Sequence, residues 1–160
     1  MLIIDTCSWL KIRYLEESNI LRIRELIYES DLWTTHELIK EYEYYIKEFL
    51  DIKKFSVQSV KIKKLEQFTE KELDAADLSI IEFGRINKDA LIISDDGAEL
   101  AILNLFNLKS FQLSEFLLIL VKQEIIRKKE VIKAIKKLRE WRNIKEKKKK
   151  QILNQINLIR

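Results

Sequence analysis

Two segments of the sequence decide the fold: Leu73-Asp-Ala-Ala-Asp-Leu-Ser-Ile-Ile81 and Ala90-Leu-Ile-Ile-Ser-Asp-Asp-Gly-Ala98. In the first, Asp77 leads apolar residues at the spacing of one helix face, which predicts a helix with an acid near its start. The second begins with a short apolar run, which is typical of a strand buried on both faces. Asp95 and Asp96 follow at its carboxyl end, where open α/β sheets bind their ligands.

The rest of the chain continues this alternation of strand and helix. Such alternation predicts an α/β fold with a mainly parallel sheet that helices cover on both faces. Because the carboxyl ends of parallel strands share one edge, Asp5 and Asp96 are expected to lie close together. The expected strands are Leu2–Ile4, Leu32–Thr34, Phe55–Val60, Ala90–Ser94 and Ser110–Leu113.

The composition fits one globular domain in a reducing compartment. The chain has 160 residues, of which 47% are hydrophobic, and this is enough for a full core. Cys7 is the single cysteine, so an internal disulfide is excluded and a cytoplasmic location is expected. The longest apolar run, Phe116–Val121, is too short to cross a bilayer, and no membrane association is expected.

Polar residues before apolar stripes indicate where helices begin. The segment Thr34-Thr35-His36-Glu37 matches a capping box, which would give Glu37 a structural role. Glu41, one turn further along the same helix, has no such role and is the better functional candidate. Ser8 and Ser114 are expected to cap two other helices.

The helix that carries Asp77 has two candidate starting points. A second capping box is possible at Thr69-Glu-Lys-Glu72, and Asp74 is the alternative cap. On either reading Asp74 has a structural explanation. Asp77 has none, and is therefore a functional candidate.

The acids that these patterns single out are Asp5, Glu41, Asp77 and Asp96, with Asp95 beside them. Two carboxylates about 4 Å apart repel by roughly 4 kcal/mol at a surface-like dielectric, so a cluster of four requires a cation. An all-oxygen set suits Mg²⁺ or Mn²⁺ and is a poor zinc site. A divalent ion that activates water and holds a phosphate oxygen would support phosphodiester hydrolysis. The alternative is that some of the 26 acids end strands by chance.

Four motifs carry a resemblance to a known family. The chain resembles the PIN-domain ribonucleases, and especially the small VapC-like toxins of toxin–antitoxin pairs. The resemblance covers roughly residues 1–125, and the motifs occur in the family's order. They are Leu2-Ile-Ile-Asp-Thr6, Thr34-Thr-His-Glu-Leu-Ile-Lys-Glu41, Leu73-Asp-Ala-Ala-Asp77 and Leu91-Ile-Ile-Ser-Asp-Asp96.

This resemblance implies a three-layer α/β/α PIN-like fold, a Mg²⁺- or Mn²⁺-dependent endoribonuclease activity and a homodimer. It implies that Asp5, Glu41, Asp77 and Asp96 are the catalytic, metal-binding acids. RNA would then be the substrate, and an antitoxin protein would be an expected partner.

The last motif also bears on the residues beside the acids. The family pattern is Thr-x-Asp, which aligns with Ser94-Asp95-Asp96 and favours Asp96 over Asp95. Asp95 nevertheless stays a candidate metal ligand. Ser94 keeps the hydroxyl of the usual threonine, and Thr6 matches the hydroxyl residue after the first acid, so both are expected to support the site.

From Arg127 onwards the sequence becomes strongly basic. We therefore divide the chain into a PIN-like nuclease domain, residues 1–126, and a basic helical C-terminal extension, residues 127–160. The apolar stripes at Val131–Trp141 and Ile152–Ile159 either dock on the domain or bind a partner helix. The lysines that form either a solvated helix face or an RNA-backbone contact are Lys147, Lys148, Lys149 and Lys150.

Two other functions fit the same sequence. One is a non-catalytic RNA- or protein-binding module on the same fold, in which the acids are vestigial and the basic extension carries the function. The other is a housekeeping RNA-processing nuclease without an antitoxin.

Overall fold

The structure is a computed structural model and describes residues 1–62 and 73–159. Within these residues it has five β-strands and eight α-helices, and the expected α/β class is confirmed. None of the described helices is both long and apolar enough to cross a membrane. The strands are β1 (Leu2–Ile4), β2 (Trp33–Thr35), β3 (Ser56–Gln58), β4 (Leu91–Ile93) and β5 (Ser110–Phe111). The helices are α1 (Thr6–Glu17), α2 (Arg24–Tyr28), α3 (His36–Tyr45), α4 (Ala75–Ile86), α5 (Gly97–Leu105), α6 (Leu113–Lys122), α7 (Lys128–Glu140) and α8 (Glu146–Leu158).

Every strand pair in the described residues is parallel. One sheet has the order β1-β4-β5, with Leu2 opposite Leu91 and Ile4 opposite Ile93. A second sheet pairs β2 with β3. An isolated parallel bridge between Leu2 and Leu32 links the two sheets. The carboxyl ends of the strands therefore meet at one edge, as the alternation of elements predicts.

The centre of the three-stranded sheet is apolar and closed to solvent. Ile3, Ile4, Ile92 and Ile93 are fully buried, as predicted for strands that are covered on both faces. Helix α4 lies close against β4: a Cβ atom at Gly84 would stand only 2.7 Å from Cδ1 of Ile92. Because a short turn joins α4 to β4, the beginning of α4 and the end of β4 lie at the same edge.

Several helices begin at residues other than the expected caps. Asp5 caps α1 by accepting a hydrogen bond from the Ser8 amide at 2.6 Å, so Ser8 lies inside the helix and is not its cap. Thr35, and not Thr34, caps α3 by accepting from the Leu38 amide. The predicted capping-box role of Glu37 is therefore wrong, because the cap lies one residue later than the box requires.

The other two predicted caps have opposite outcomes. Asp74 caps α4, as predicted, while the alternative start at Thr69–Glu72 lies outside the described residues. The cap of α6 is Gln112, whose amide donates to the carboxylate of Glu115 at 2.9 Å. The prediction that Ser114 caps this helix is wrong, because Ser114 is buried in its first turn.

The C-terminal helices are packed onto the rest of the chain. Helix α8 contacts α6 and α7, and α7 also contacts α1. The apolar stripes of α7 and α8 therefore dock on the domain, and its hydrophobic core continues through the extension. The residues of these stripes that are at most 1% exposed are Val131, Ala134, Ile135, Leu138, Ile152 and Ile156.

Candidate metal centre

Four of the predicted site acids line one cavity at the carboxyl edge of the strands. Asp5 follows β1, Asp96 follows β4, Glu41 lies in the second turn of α3, and Asp77 lies in the first turn of α4. The volume of this cavity is about 200 Å³. Its other lining residues are Thr6, Cys7, Asp74 and Ile80.

Asp5 is the most buried of the four acids, with 5% of its surface exposed. Its Oδ1 accepts from the Ser8 amide at 2.6 Å, and its Oδ2 accepts from Ser94 Oγ at 3.0 Å and the Asp95 amide at 3.1 Å. Despite these donors, burial raises the pKa of Asp5 to about 6. The charge of Asp95 adds to this increase. The loss of hydration therefore outweighs the hydrogen bonds that favour the carboxylate.

Glu41 is positioned by contacts between α3 and the first strand. The hydroxyl of Tyr42 donates to the carbonyl of Ile4, which fixes α3 beside the end of β1. The hydroxyl of Thr6 donates to the Glu41 carboxylate. Burial raises the pKa of Glu41, and the nearby charge of Asp74 raises it further.

Asp77 has a structural role as well as a place in the cavity. Its carboxylate accepts from the Asp74 amide at 3.3 Å, while Asp74 accepts from the Asp77 amide at 2.9 Å. The prediction that Asp77 has no structural role is therefore wrong. Burial raises the pKa of Asp77 to about 7, and the charges of Asp74, Asp96 and Glu41 act in the same direction. Burial, the largest cause of this shift, and the neighbouring negative charges both disfavour the ionised form of Asp77.

The neighbouring acids Asp95 and Asp96 are directed to different partners. Asp96 caps α5 by accepting from the amides of Ala98 at 2.7 Å and Glu99 at 3.0 Å. Asp95 lies 3.2 Å from the ammonium of Lys11 and accepts from the Ser8 hydroxyl at 3.2 Å. The structure thus brings Asp96 into the cavity and pairs Asp95 with a cation on α1. Helices α1, α4 and α5 all begin at the cavity, and their N-terminal dipoles favour negative charge there.

Sequence patterns missed Glu99, a fully buried acid behind the cavity. Its Oε2 lies 2.6 Å from Ser94 Oγ, which in turn lies 3.0 Å from Asp5 Oδ2 and accepts from the Asp96 amide at 3.1 Å. The serine hydroxyl has one proton, so it cannot donate to both carboxylates. Burial raises the pKa of Glu99 well above its ordinary value. Protonation of Glu99, which its burial favours, would let Glu99 donate to Ser94 and Ser94 donate to Asp5. Its position three residues after the cap of α5 is the one signal in the sequence that could have identified it.

The chemistry of the donors fits a hard divalent cation, because the four acids supply only oxygen. Within residues 1–62 and 73–159, however, no group of three or more His, Cys, Asp or Glu side chains is arranged to hold a metal ion. Hydrogen bonds hold at least one carboxylate oxygen of each of Asp5, Glu41, Asp77 and Asp96 at a protein donor. An ion that bound here would have to draw the carboxylates together.

The four lysines named as RNA contacts fall into two classes. Lys148 forms an ion pair with Glu115, and Lys149 lies 3.3 Å from Glu146. Lys147 and Lys150 are exposed on the outer face of α8.

Comparison of the chain with family models, with curated proteins and with solved structures gives no match. The resemblance to the PIN-domain ribonucleases therefore stays a prediction that depends on the four motifs and on the geometry of the site that they form.

Proposed function

We propose that this protein is a metal-dependent endoribonuclease of the PIN type that hydrolyses RNA phosphodiester bonds with Mg²⁺ or Mn²⁺. One observation carries the proposal: Asp5, Glu41, Asp77 and Asp96, which are separated in sequence, line a single cavity. Asp5 and Asp96 also cap helices, and Asp77 belongs to the capping box of α4. Capping does not require four acids to share one cavity, however, and burial there raises the pKa of three of them. A divalent cation would offset the repulsion between them.

In this proposal each residue has a definite task. Asp5, Glu41, Asp77 and Asp96 would hold the metal, and a bound ion would supply an acidified water molecule and charge stabilisation at the phosphate. Ser94 orients Asp5 through its hydrogen bond. Hydrolysis consumes one water molecule, breaks one P–O bond of the backbone, and leaves a phosphate ester and a free hydroxyl.

Further parts of the proposal come from the family resemblance alone. They are the three-layer α/β/α arrangement, the homodimer and the toxin role with an antitoxin partner, while the proposed cytoplasmic location rests on the single cysteine. Co-purification of the tagged chain with the product of a neighbouring small open reading frame would test the toxin role. Failure to find such a product would favour a housekeeping RNA-processing nuclease.

The first prediction concerns cleavage of RNA and its dependence on the acids. We expect the protein to cut a fluorescent RNA with Mn²⁺ or Mg²⁺ and to lose this activity in EDTA. Asp5→Asn and Asp96→Asn should each lower the cleavage rate at least about 100-fold, because loss of even a residue that only orients a ligand costs 10- to 100-fold. Asp89→Asn is the matched control, since the Asp89 side chain is fully exposed before β4 and should leave the rate unchanged. Cleavage that survives both substitutions and EDTA would refute the proposal.

A second candidate is the non-catalytic RNA- or protein-binding module. The observation that favours it is that no group of three or more metal-binding side chains is arranged for an ion within the described residues. This candidate predicts binding that is insensitive to EDTA and to Asp96→Asn, with no cleavage under any metal.

A further inference from the structure

The charge of the chain is divided unequally between its two parts. Residues 127–160 contain 14 of the 30 Lys and Arg residues but only 3 of the 26 Asp and Glu residues. The net charge is therefore +11 in this part and −7 in residues 1–126. A phosphate backbone that approaches the acid cavity is repelled by the first part of the chain and attracted by the second.

The turn between α7 and α8 packs beside α1, where Trp141 contacts Tyr14. Lys11 links this turn to Asp95, next to the cavity. The ammonium of Lys11, one turn beyond the start of α1, lies 3.3 Å from the carbonyl of Asn143. Lys148, near the start of α8, pairs with Glu115 in the first turn of α6, which follows the carboxyl end of β5. At the opposite end of this helix pair, Lys128 donates to the carbonyl of Ile159 at 3.0 Å.

Not all cations of this turn are equally available to a ligand. Lys148 and Lys149 lie beside carboxylates, and so does Arg139, whose Nε is 3.0 Å from Glu146. The exposed cations between the end of α7 and the second residue of α8 are Arg142, Lys145 and Lys147, while exposed Lys150 lies about one turn further along α8. We call these three residues the basic corner.

We propose that the basic corner binds phosphates of an RNA strand and thereby holds the strand across the acid cavity. This inference rests on the proposed function for the identity of the polyanion. Contacts from side-chain ammonium and guanidinium groups to phosphates carry no sequence information. The corner would therefore supply affinity and register along the strand, and it would leave the chemistry to the acids.

The test measures RNA affinity apart from cleavage. The binding of a short fluorescent single-stranded RNA is followed by anisotropy in EDTA at several salt concentrations. The variant is Arg142→Gln/Lys145→Gln/Lys147→Gln. We expect its Kd to rise at least about 10-fold at low salt and the slope of log K against log salt to fall by about 2, since each phosphate contact on a single strand contributes about 0.7.

A matched control removes the same number of charges from the N-cap and first half of α7, away from the turn between α7 and α8. Arg127→Gln/Lys129→Gln/Lys133→Gln also replaces one arginine and two lysines, all of them exposed. At 1.5 Å per residue, the helix places Lys129 roughly 20 Å from Arg142. If the two triple variants lose equal affinity, or if neither changes the salt slope, the inference is wrong. Should the corner variant lose thermal stability, the single variant Lys147→Gln repeats the test, with an expected change in slope of about 0.7.

The inference and the proposed function fail in different ways. With Mn²⁺ and saturating RNA, the corner variant should keep the wild-type kcat and show a raised KM. Wild-type protein that binds RNA through the corner without cutting it would refute the nuclease proposal alone. Wild-type protein that cuts RNA with a KM unchanged in the corner variant would refute the inference alone.

Discussion

At the residue scale, the protonation state of Asp5 connects the stability of the fold to its proposed chemistry. The carboxyl is buried, and its pKa is raised to about 6. The folded chain therefore holds a proton at a pH where the unfolded chain, with a pKa of about 3.9, has released it. The contribution of such a group to the free energy of unfolding is fully present below about pH 4, and it is lost as the pH rises through 6. Asp77, whose pKa is raised to about 7, extends the same trend towards pH 8.

We predict that the metal-free protein becomes less stable between pH 5 and pH 8. Asp5 alone should account for about 1 kcal/mol of this loss. Asp31 and Glu146, whose pKa values are lowered, contribute stability that is lost only at more acidic pH and does not change within this window. Calorimetry in EDTA should show the decline in Tm for the wild type and a shallower decline for Asp5→Asn.

The control for this pH dependence is a substitution at an exposed acid. Asp89→Asn, at a fully exposed position, should retain the wild-type slope. An Asp5→Asn protein whose Tm falls with pH as steeply as that of the wild type would show that Asp5 is ionised throughout. Mn²⁺ at pH 8 should raise the wild-type Tm, because a bound cation favours the charged carboxylates.

The acids themselves could be found from sequence, while their partners could not. Asp5 and Asp96 end apolar runs, and that pattern is visible in one dimension. Glu99 looks like an ordinary residue of an amphipathic helix, and only the approach of Ser94 shows that it is buried behind the cavity. The pairing of Asp95 with Lys11 joins residues 84 positions apart, and no local pattern predicts it.

At the scale of elements, four helices end at a non-glycine residue in the left-handed conformation, which the sequence does not mark. Asn19, Asn107, Glu124 and Arg142 all have φ between 53° and 59°, the left-handed conformation that glycine adopts most easily. In each case the residue's amide and the following amide bond back to carbonyls of the last turn, as in a Schellman motif. The chain has only two glycines, and neither has a positive φ. No glycine therefore marks these helix ends in the sequence. The predicted starts at Ser8, Thr34 and Ser114 are also misplaced, because several acids and hydroxyls near each start could serve as the cap.

We predict that Glu124→Gly stabilises the protein. A side chain in the left-handed region costs about 1–2 kcal/mol, whereas glycine loses about 0.5–1 kcal/mol more backbone entropy on folding. The balance is a gain of up to about 1 kcal/mol, which should raise Tm by about 2–4 °C in a domain of this size. Glu124→Ala is the control: it also removes the charge but keeps the Cβ, so it should give no gain. Equal Tm shifts for the two variants would mean that charge, and not backbone conformation, matters at this position.

At the scale of the whole molecule, the basic extension and the acidic domain share one core. The division at residue 126 follows the change in charge, because lysines dominate the sequence after it. Burial does not follow that division, since the apolar stripes of α7 and α8 belong to the same hydrophobic cluster as the strands. The sequence predicts both stripes. The surfaces that they pack against are on α6 and α1, and the position of those surfaces depends on the folded arrangement of the chain.

This shared core changes what removal of residues 145–160 would reveal. Ile152 and Ile156 are at most 1% exposed, and burying each contributes about 1.5–3 kcal/mol. We therefore predict that the deletion lowers the free energy of unfolding by several kcal/mol, a large part of a typical total of about 5–15 kcal/mol. Activity lost in the deletion would then reflect unfolding and would not separate a nuclease from a binding module. Point substitutions separate the core contacts of α8 from its charge. In urea unfolding, Ile156→Ala should lower the free energy of unfolding by about 2–5 kcal/mol. Lys147→Gln/Lys150→Gln, on the exposed face of the same helix, should lower it by less than about 0.5 kcal/mol. If the deletion unfolded at the same urea concentration as the full chain, α8 would be an independent appendage, and its charge could be removed without any effect on the core.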